Sequence, residues 1–226
     1  MRVYSSQQRP FADIRHVAIA IAVVQNGHQH VGVLHKEDAL NEVKLGHLAW
    51  HNQLRVSQPK DNYLWIDPPI PAPRARQVAA RCRQILRANE KGGIPYAFSP
   101  PSDCFDEQTA AFLIGPSRIG LTCATFVLAV FDAAGIRLAD YSDWPKQRPG
   151  DVEWQQFVIE QLELSGATAE HLGVVRNEVG VVRYRPEDTA ACAAAEQLPC
   201  PFSVAEPLSL EILRQLQLIG KPLCGA

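Results

Sequence analysis

Several features that would place this 226-residue chain in a membrane, on a nucleic acid or in an oxidising compartment are missing from its sequence. No apolar run approaches the length of a membrane span, and residues 1–10 lack the apolar core of a signal peptide. We therefore expect a cytoplasmic protein without a membrane span, although export by a route that needs no cleaved signal stays open. A net charge of −2, with no dense cluster of Lys or Arg, argues against a nucleic-acid partner. The six cysteines include no CxxC pair, which favours free thiols.

The sequence does contain enough apolar residues, 46%, for a packed core. Proline-containing segments at 144–145 and 148–150 predict a boundary between a core at residues 1–145 and a helical C-terminal extension at residues 146–226. Within this extension we expect one short strand and four helices, namely a strand at 179–184 and helices at 152–164, 167–178, 186–197 and 208–218.

Three β-rich runs open the chain, at residues 16–27, 28–35 and 42–51, and the first ends on an Asn26-Gly27 turn signal. A hairpin centred between residues 38 and 39 would pair the last two runs and place His30 directly opposite His47. Both histidines would then share one face of an antiparallel sheet with apolar neighbours.

A helix is predicted at residues 74–89, where apolar side chains recur at helical spacing. Its arginines are expected on a solvated face: Arg74, Arg76, Arg81, Arg83 and Arg87. A long loop follows and passes through Tyr96 before the next helix, and loops of this length often line a functional site.

Residues 120–135 predict a buried helix with a cysteine in its first turn. Thr122 is the expected N-cap, so the sulfur of Cys123 would lie among unpaired backbone N–H groups at the positive end of the helix dipole. Such a position is expected to lower the pKa of the thiol and favour the thiolate. Packing as a small buried hydrophobe is the alternative for any helical cysteine.

Three short segments resemble a known family. The Ile-Pro-Tyr of residues 94–96 and the Gly-Leu-Thr-Cys-Ala-Thr-Phe-Val of residues 120–127 are similar to segments of the NlpC-like branch of papain-fold cysteine peptidases. The His-Val-Gly-Val-Leu of residues 30–34 resembles the strand that carries that family's general base. Because the strands precede the cysteine here, the order resembles the circularly permuted branch that includes YiiX/YaeF-like and lecithin–retinol acyltransferase-like proteins. The resemblance implies an α+β, papain-like fold in which an antiparallel sheet packs on the cysteine-bearing helix.

The residue types support nucleophilic acyl transfer. We assign Cys123 as nucleophile, His30 as base and His47 as the group that orients the base. The backbone N–H of Cys123 and the Tyr96 hydroxyl are candidate oxyanion donors, and Thr122 is placed with Tyr96 at the substrate. His16, which also opens a β run, is the alternative base, and His47 itself is another.

The leading functional hypothesis is a thiol hydrolase that cleaves an amide, such as a peptide or cell-wall-peptide-like bond, without cofactor or metal. The alternatives are an acyltransferase or thioesterase acting on a lipid or acyl substrate, a catalytically inactive papain-like binding module, and a zinc site formed by His28 and His30 with His47 or Cys123. The resemblance implies a bacterial protein and leaves open a secreted effector with an inhibitor, immunity or secretion partner.

Overall fold

The structure, a computed structural model, describes residues 2–24, 27–37, 42–115 and 119–219. Asn26 of the predicted turn, the hairpin centre at residues 38–39 and Cys224 lie outside this part of the chain. The described residues form six strands: β1 (Val3–Ser5), β2 (Val17–Val23), β3 (Gln29–Glu37), β4 (Glu42–Trp50), β5 (Gln53–Ser57) and β6 (Leu64–Ile66). They also form six α-helices: α1 (Ala72–Ala88), α2 (Cys123–Asp132), α3 (Asp151–Leu164), α4 (Ala169–Asn177), α5 (Pro186–Ala194) and α6 (Phe202–Ile219).

The fold is α+β, as the sequence predicts. The six strands form one sheet in the order β1-β6-β2-β3-β4-β5, and every neighbouring pair is antiparallel. Strands β2, β3 and β4 coincide closely with the three predicted runs because each of these segments is rich in β-branched and apolar residues. None of the described helices combines the length and the apolarity needed to cross a bilayer.

The predicted register between β3 and β4 is wrong by two residues. Leu34 pairs with Leu45 and Val33 with Gly46, so His30 does not lie directly opposite His47. A shift of two residues preserves the face on which each side chain lies, because side chains alternate with a period of two. His30 and His47 therefore still share one face, as diagonal rather than direct neighbours.

Both faces of the sheet are buried. Residues Val31 and Val33 of β3 belong to a large core that includes α1, α2 and α5, while Leu34 belongs to a smaller core around Trp65 on the opposite face. All nine residues of α5 are buried, and this helix contacts β2, β3, β6 and α2. The C-terminal third of the chain therefore contributes a central layer of the main core.

Two further expectations need correction. Residues 179–184 do not form a strand: the Gln155 side chain binds the Gly180 N–H at 2.8 Å and the Val181 carbonyl at 3.1 Å, where a strand would have a neighbouring backbone. The arginines of α1 are not all solvated, because Arg81 donates to the Asp106 carbonyl and Arg83 to that of Lys36, each at 2.7 Å.

Candidate active site

The cysteine-bearing helix begins where the sequence predicts. Thr122 is the N-cap of α2, and its hydroxyl accepts a hydrogen bond from the Thr125 N–H at 3.1 Å. The Thr125 hydroxyl in turn accepts from the Thr122 N–H at 2.8 Å, which completes a capping box. Cys123 is thus the first residue of a helix whose start is fixed by side chains.

The segment around Tyr96 lies directly beside this helix start. The Ala97 N–H donates to the Leu121 carbonyl at 3.3 Å, and the Leu121 N–H donates to the Pro95 carbonyl at 2.9 Å. Gly120 permits this approach, since a Cβ atom there would collide with the Pro95 carbonyl. Tyr96 is only 5% exposed, and its ring lies tilted against that of Trp50 with 4.8 Å between ring centroids.

The thiol of Cys123 is more enclosed than its sequence position suggests. Burial raises its pKa, while hydrogen bonds from the Val31 N–H, the Tyr96 hydroxyl and the Ala124 N–H, together with the charge of Arg183, lower it only in part. The expected low-pKa thiolate is therefore wrong for the resting protein, because desolvation outweighs the helix terminus. Burial first, and Cys123 second, raise the pKa of the Tyr96 hydroxyl well above its usual range, so the phenol and the thiol are neighbours.

His30 and His47 form a direct hydrogen bond. The distance from His30 Nε2 to His47 Nδ1 is 2.8 Å, and His47 Nε2 lies 3.4 Å from Ser57 Oγ. With the proton on His30 Nε2, His47 accepts through Nδ1 and donates to Ser57 through Nε2, and His30 Nδ1 is the basic nitrogen. Burial and the neighbouring His47 lower the pKa of His30 to about 3, while burial and Arg55 lower that of His47 to about 4. Both imidazoles are therefore neutral at rest near pH 7.

Gly32 makes this histidine contact sterically feasible. Continuing the β3–β4 ladder by one residue places it opposite His47. A Cβ atom on Gly32 would lie 2.9 Å from the Cβ of His47 and 2.8 Å from Leu45 Cδ1. The missing side chain leaves space for His47 to lean across β3 toward His30.

Cys123 and His30 line the same cavity, which has a volume of about 180 Å³. Its other walls are largely apolar and come from both parts of the chain, including Ala49, Trp50, Trp154, Phe157 and Val158. Arg183 also lines the cavity and lies over the Trp154 ring at 3.8 Å from its centroid. The site is therefore built jointly by the sheet, α2 and the C-terminal helices.

A second, more open and more polar groove begins at the same histidine. His30 lines both spaces, and the groove continues past His47, Arg55, Ser57 and Lys60. Among the described residues that line either space, none is acidic. His30 thus borders both an apolar cavity and a polar groove.

The structure brings together most of the predicted site residues but not all. Cys123, His30, Tyr96 and Thr122 line the cavity, and His47 contacts it through His30. The Thr122 hydroxyl is engaged in the helix cap. The alternative base His16 precedes β2 at the end opposite to Ala22, the residue that pairs with His30, and does not line the cavity.

A metal site finds no geometric support in the described part of the chain. No group of three His, Cys, Asp or Glu side chains there converges on a point where an ion could be held. His28 instead packs against Phe157, with 5.2 Å between ring centroids.

Three further residues belong to the site, although the sequence assigns them no role there. His51 and His171 both bind the backbone of Tyr96, and Arg183 lines the cavity. Only the ionisable nature of these side chains distinguishes them in the sequence, since their positions depend on tertiary packing. Comparison of the chain with protein-family models, with curated proteins and with solved structures gave no significant match.

Proposed function

We propose that this protein is a cysteine acyl hydrolase in which Cys123 is the nucleophile, His30 the base and His47 the orienting group. The observation that carries the proposal is the 2.8 Å hydrogen bond from His30 Nε2 to His47 Nδ1, with His30 lining the cavity of Cys123. With the shared proton on His30 Nε2, the remaining nitrogen, Nδ1, is the one that can accept the thiol proton.

The reaction begins from a neutral pair. The pKa of Cys123 is raised and that of His30 is lowered to about 3, so a thiolate–imidazolium pair is not the resting state. The proton passes from sulfur to His30 Nδ1 as the sulfur attacks the carbonyl carbon, and a C–S bond forms. His30 then returns this proton to the leaving group. Water hydrolyses the resulting thioester with the same imidazole as base.

Tyr96 stabilises the oxyanion. Burial raises its pKa well above the ordinary value, so the hydroxyl remains a proton donor across the working range. At rest it donates to the Cys123 sulfur. As negative charge moves from sulfur to the substrate oxygen, the Tyr96 O–H group can donate to that oxygen instead of to sulfur. The Cys123 N–H polarises this hydroxyl and so makes it a stronger donor.

The two spaces beside His30 suit the two halves of a substrate. The groove past His47 and Arg55 receives the leaving group, because His30 must reach it to deliver a proton. The acyl part occupies the cavity next to Cys123. An amide of a peptide or peptide-like molecule is the substrate class proposed first.

The finer fold assignment, a permuted papain-like arrangement, belongs to this proposal and is supported by strands β3 and β4 preceding α2 in the chain.

The apolar cavity wall favours a second candidate, acyl transfer or thioester hydrolysis with a hydrocarbon acyl group. Trp50, Trp154 and Phe157 offer apolar surface next to the nucleophile. Each CH₂ group that the cavity buries should speed acylation by about fourfold, since burial contributes about 0.8 kcal/mol per CH₂. Acylation rates measured with p-nitrophenyl esters of increasing chain length would show this rise, whereas a flat series would favour the amide substrate.

The test of the proposal is the rate at which p-nitrophenyl acetate acylates Cys123, followed by peptide mass spectrometry. We expect acetylation at Cys123 and a fall of about 10²-fold or more in His30→Ala. His47→Ala should lower the rate less, because the base remains but its tautomer is no longer fixed. His16→Ala is the matched control and should react like the native protein. Acetylation spread evenly over the cysteines, or independent of His30, would refute the proposal.

A further inference from the structure

Two histidines from distant parts of the chain hold the peptide group of Tyr96. The Tyr96 N–H donates to His51 Nδ1 at 3.2 Å, and His171 Nε2 lies 3.0 Å from the Tyr96 carbonyl oxygen. A carbonyl can only accept, so His171 carries its proton on Nε2, and His51 must keep Nδ1 unprotonated. The two rings contact each other, with 4.5 Å between their centroids.

The local backbone explains why Tyr96 needs these partners. Residues Pro95 and Ala97 bind Leu121 in a single parallel bridge, so the groups of Tyr96 itself point away from Leu121. A neighbouring strand would normally satisfy them, and no strand of the described residues lies there. His51 and His171 take the place of that strand.

The hydroxyl end of the same residue reaches the nucleophile. Tyr96 and Cys123 line the same cavity and each acts on the pKa of the other, and the Tyr96 ring contacts that of Trp50, the residue before His51. The position of the peptide therefore sets the position of the hydroxyl. Further along the same segment, Glu178 accepts from the Phe98 N–H at 2.7 Å, so α4 and the turn that follows it hold this segment at two points.

We propose that His51 and His171 are positioning residues, which clamp the Tyr96 peptide and thereby hold its hydroxyl where the oxyanion develops. This inference rests on the proposed function, since it assigns the clamp to the same cysteine site. Neither His51 nor His171 is among the described residues that line the cavity of Cys123. Each acts through Tyr96.

Conservative variants separate the hydrogen bonds from the bulk of the rings. Asn places its amide at the position of Nδ1, so His51→Asn keeps an acceptor for the Tyr96 N–H, whereas His51→Ala does not. Gln reaches the position of Nε2, so His171→Gln keeps a donor for the Tyr96 carbonyl, whereas His171→Leu removes it. Thermal unfolding of each variant identifies those that no longer fold as the native protein does.

The experiment compares two reactions of Cys123 in each folded variant. Acylation by p-nitrophenyl acetate passes through an oxyanion, whereas alkylation by iodoacetamide does not. Because loss of one oxyanion donor costs about 10²–10³ in rate, we expect His51→Ala and His171→Leu to slow acylation by at least about tenfold and alkylation by about threefold at most. His51→Asn and His171→Gln should recover most of the acylation rate.

The same changes made in Tyr96→Phe test whether the histidines act through Tyr96. With the hydroxyl already absent, His171→Leu should cause no further loss of acylation, since residues that act as a unit are not additive. Full additivity, or an equal loss of acylation and alkylation, would overturn the clamp while leaving Cys123 a nucleophile. If Cys123 is acylated in no form of the protein, the proposed function fails and the clamp fails with it.

Discussion

Replacement of Gly32 by alanine should break the histidine pair without touching either histidine. The new Cβ atom would lie 2.8 Å from Leu45 Cδ1, 2.9 Å from the Cβ of His47 and 3.0 Å from the Gly46 carbonyl oxygen. Carbon atoms prefer separations of about 3.5–4.0 Å, so His47 must retreat by roughly 0.6 Å or more. Such a retreat would lengthen the 2.8 Å bond to His30 past the usual hydrogen-bond limit of about 3.2 Å.

The magnitude follows from two separate costs. Overpacking of this kind destabilises a fold by about 1–3 kcal/mol, which urea unfolding measures. A misplacement of about 1 Å in a catalytic group can cost 10²-fold in rate, so for the smaller shift here we expect acylation of Cys123 to slow by about tenfold.

Gly92→Ala is the matched control, because a Cβ at Gly92 would meet nothing within 4 Å. It should leave both acylation and stability near the native values. A Gly32→Ala protein that is destabilised yet acylated at the native rate would refute the idea that the His30–His47 bond depends on this glycine.

Three further outcomes follow from burial and charge. Burial, with the charges of Arg83, Arg87 and Lys44, lowers the pKa of His35 from 6.5 to about 4, so the unfolded chain binds a proton that the native state excludes once the pH falls below about 6.5. Lowering the pH from 7 to 5 should therefore cost the native protein about 2 kcal/mol at this residue, and urea unfolding of His35→Leu should show a pH dependence weaker by that amount. Because its pKa is raised, Cys123 should be alkylated by iodoacetamide ever faster up to about pH 9, and a plateau below pH 7 would contradict the neutral resting pair. Asp151→Asn removes the buried carboxylate that three arginines contact and should lower the free energy of unfolding by about 3–5 kcal/mol, against almost no change for the exposed Asp61→Asn.

Local patterns in the sequence predict the elements that carry the site. Apolar spacing and a capping threonine locate α2, and β-rich runs locate β3 and β4, because these signals act within a few residues. The predicted register between β3 and β4 is wrong by two residues, because it was derived from an assumed symmetric turn and no residue in the sequence specifies it. The prediction that His30 and His47 share a face is still correct, because a shift of two residues leaves each side chain on the same side of the sheet.

Tertiary effects explain what the sequence could not predict. A helix N-terminus is visible in the chain, but the burial that raises the pKa of Cys123 depends on residues from every part of the fold. His51 and His171 meet at Tyr96 only because α4 packs beside the end of β4. The run at 179–184 has β-rich composition, yet Gln155 satisfies its backbone in place of a neighbouring strand.

The position of α5 has a consequence for how the protein becomes active as it is synthesised. Synthesis places Arg183 and α5 after Cys123, His30 and His47. Arg183 lines the cavity, and α5 is buried in the core beside the sheet. The nascent chain therefore carries its reactive groups without a formed site. The proposed activity should therefore appear only when the last third of the chain has folded, and fragments that end before α5 would contain the proposed nucleophile and base and yet be inert.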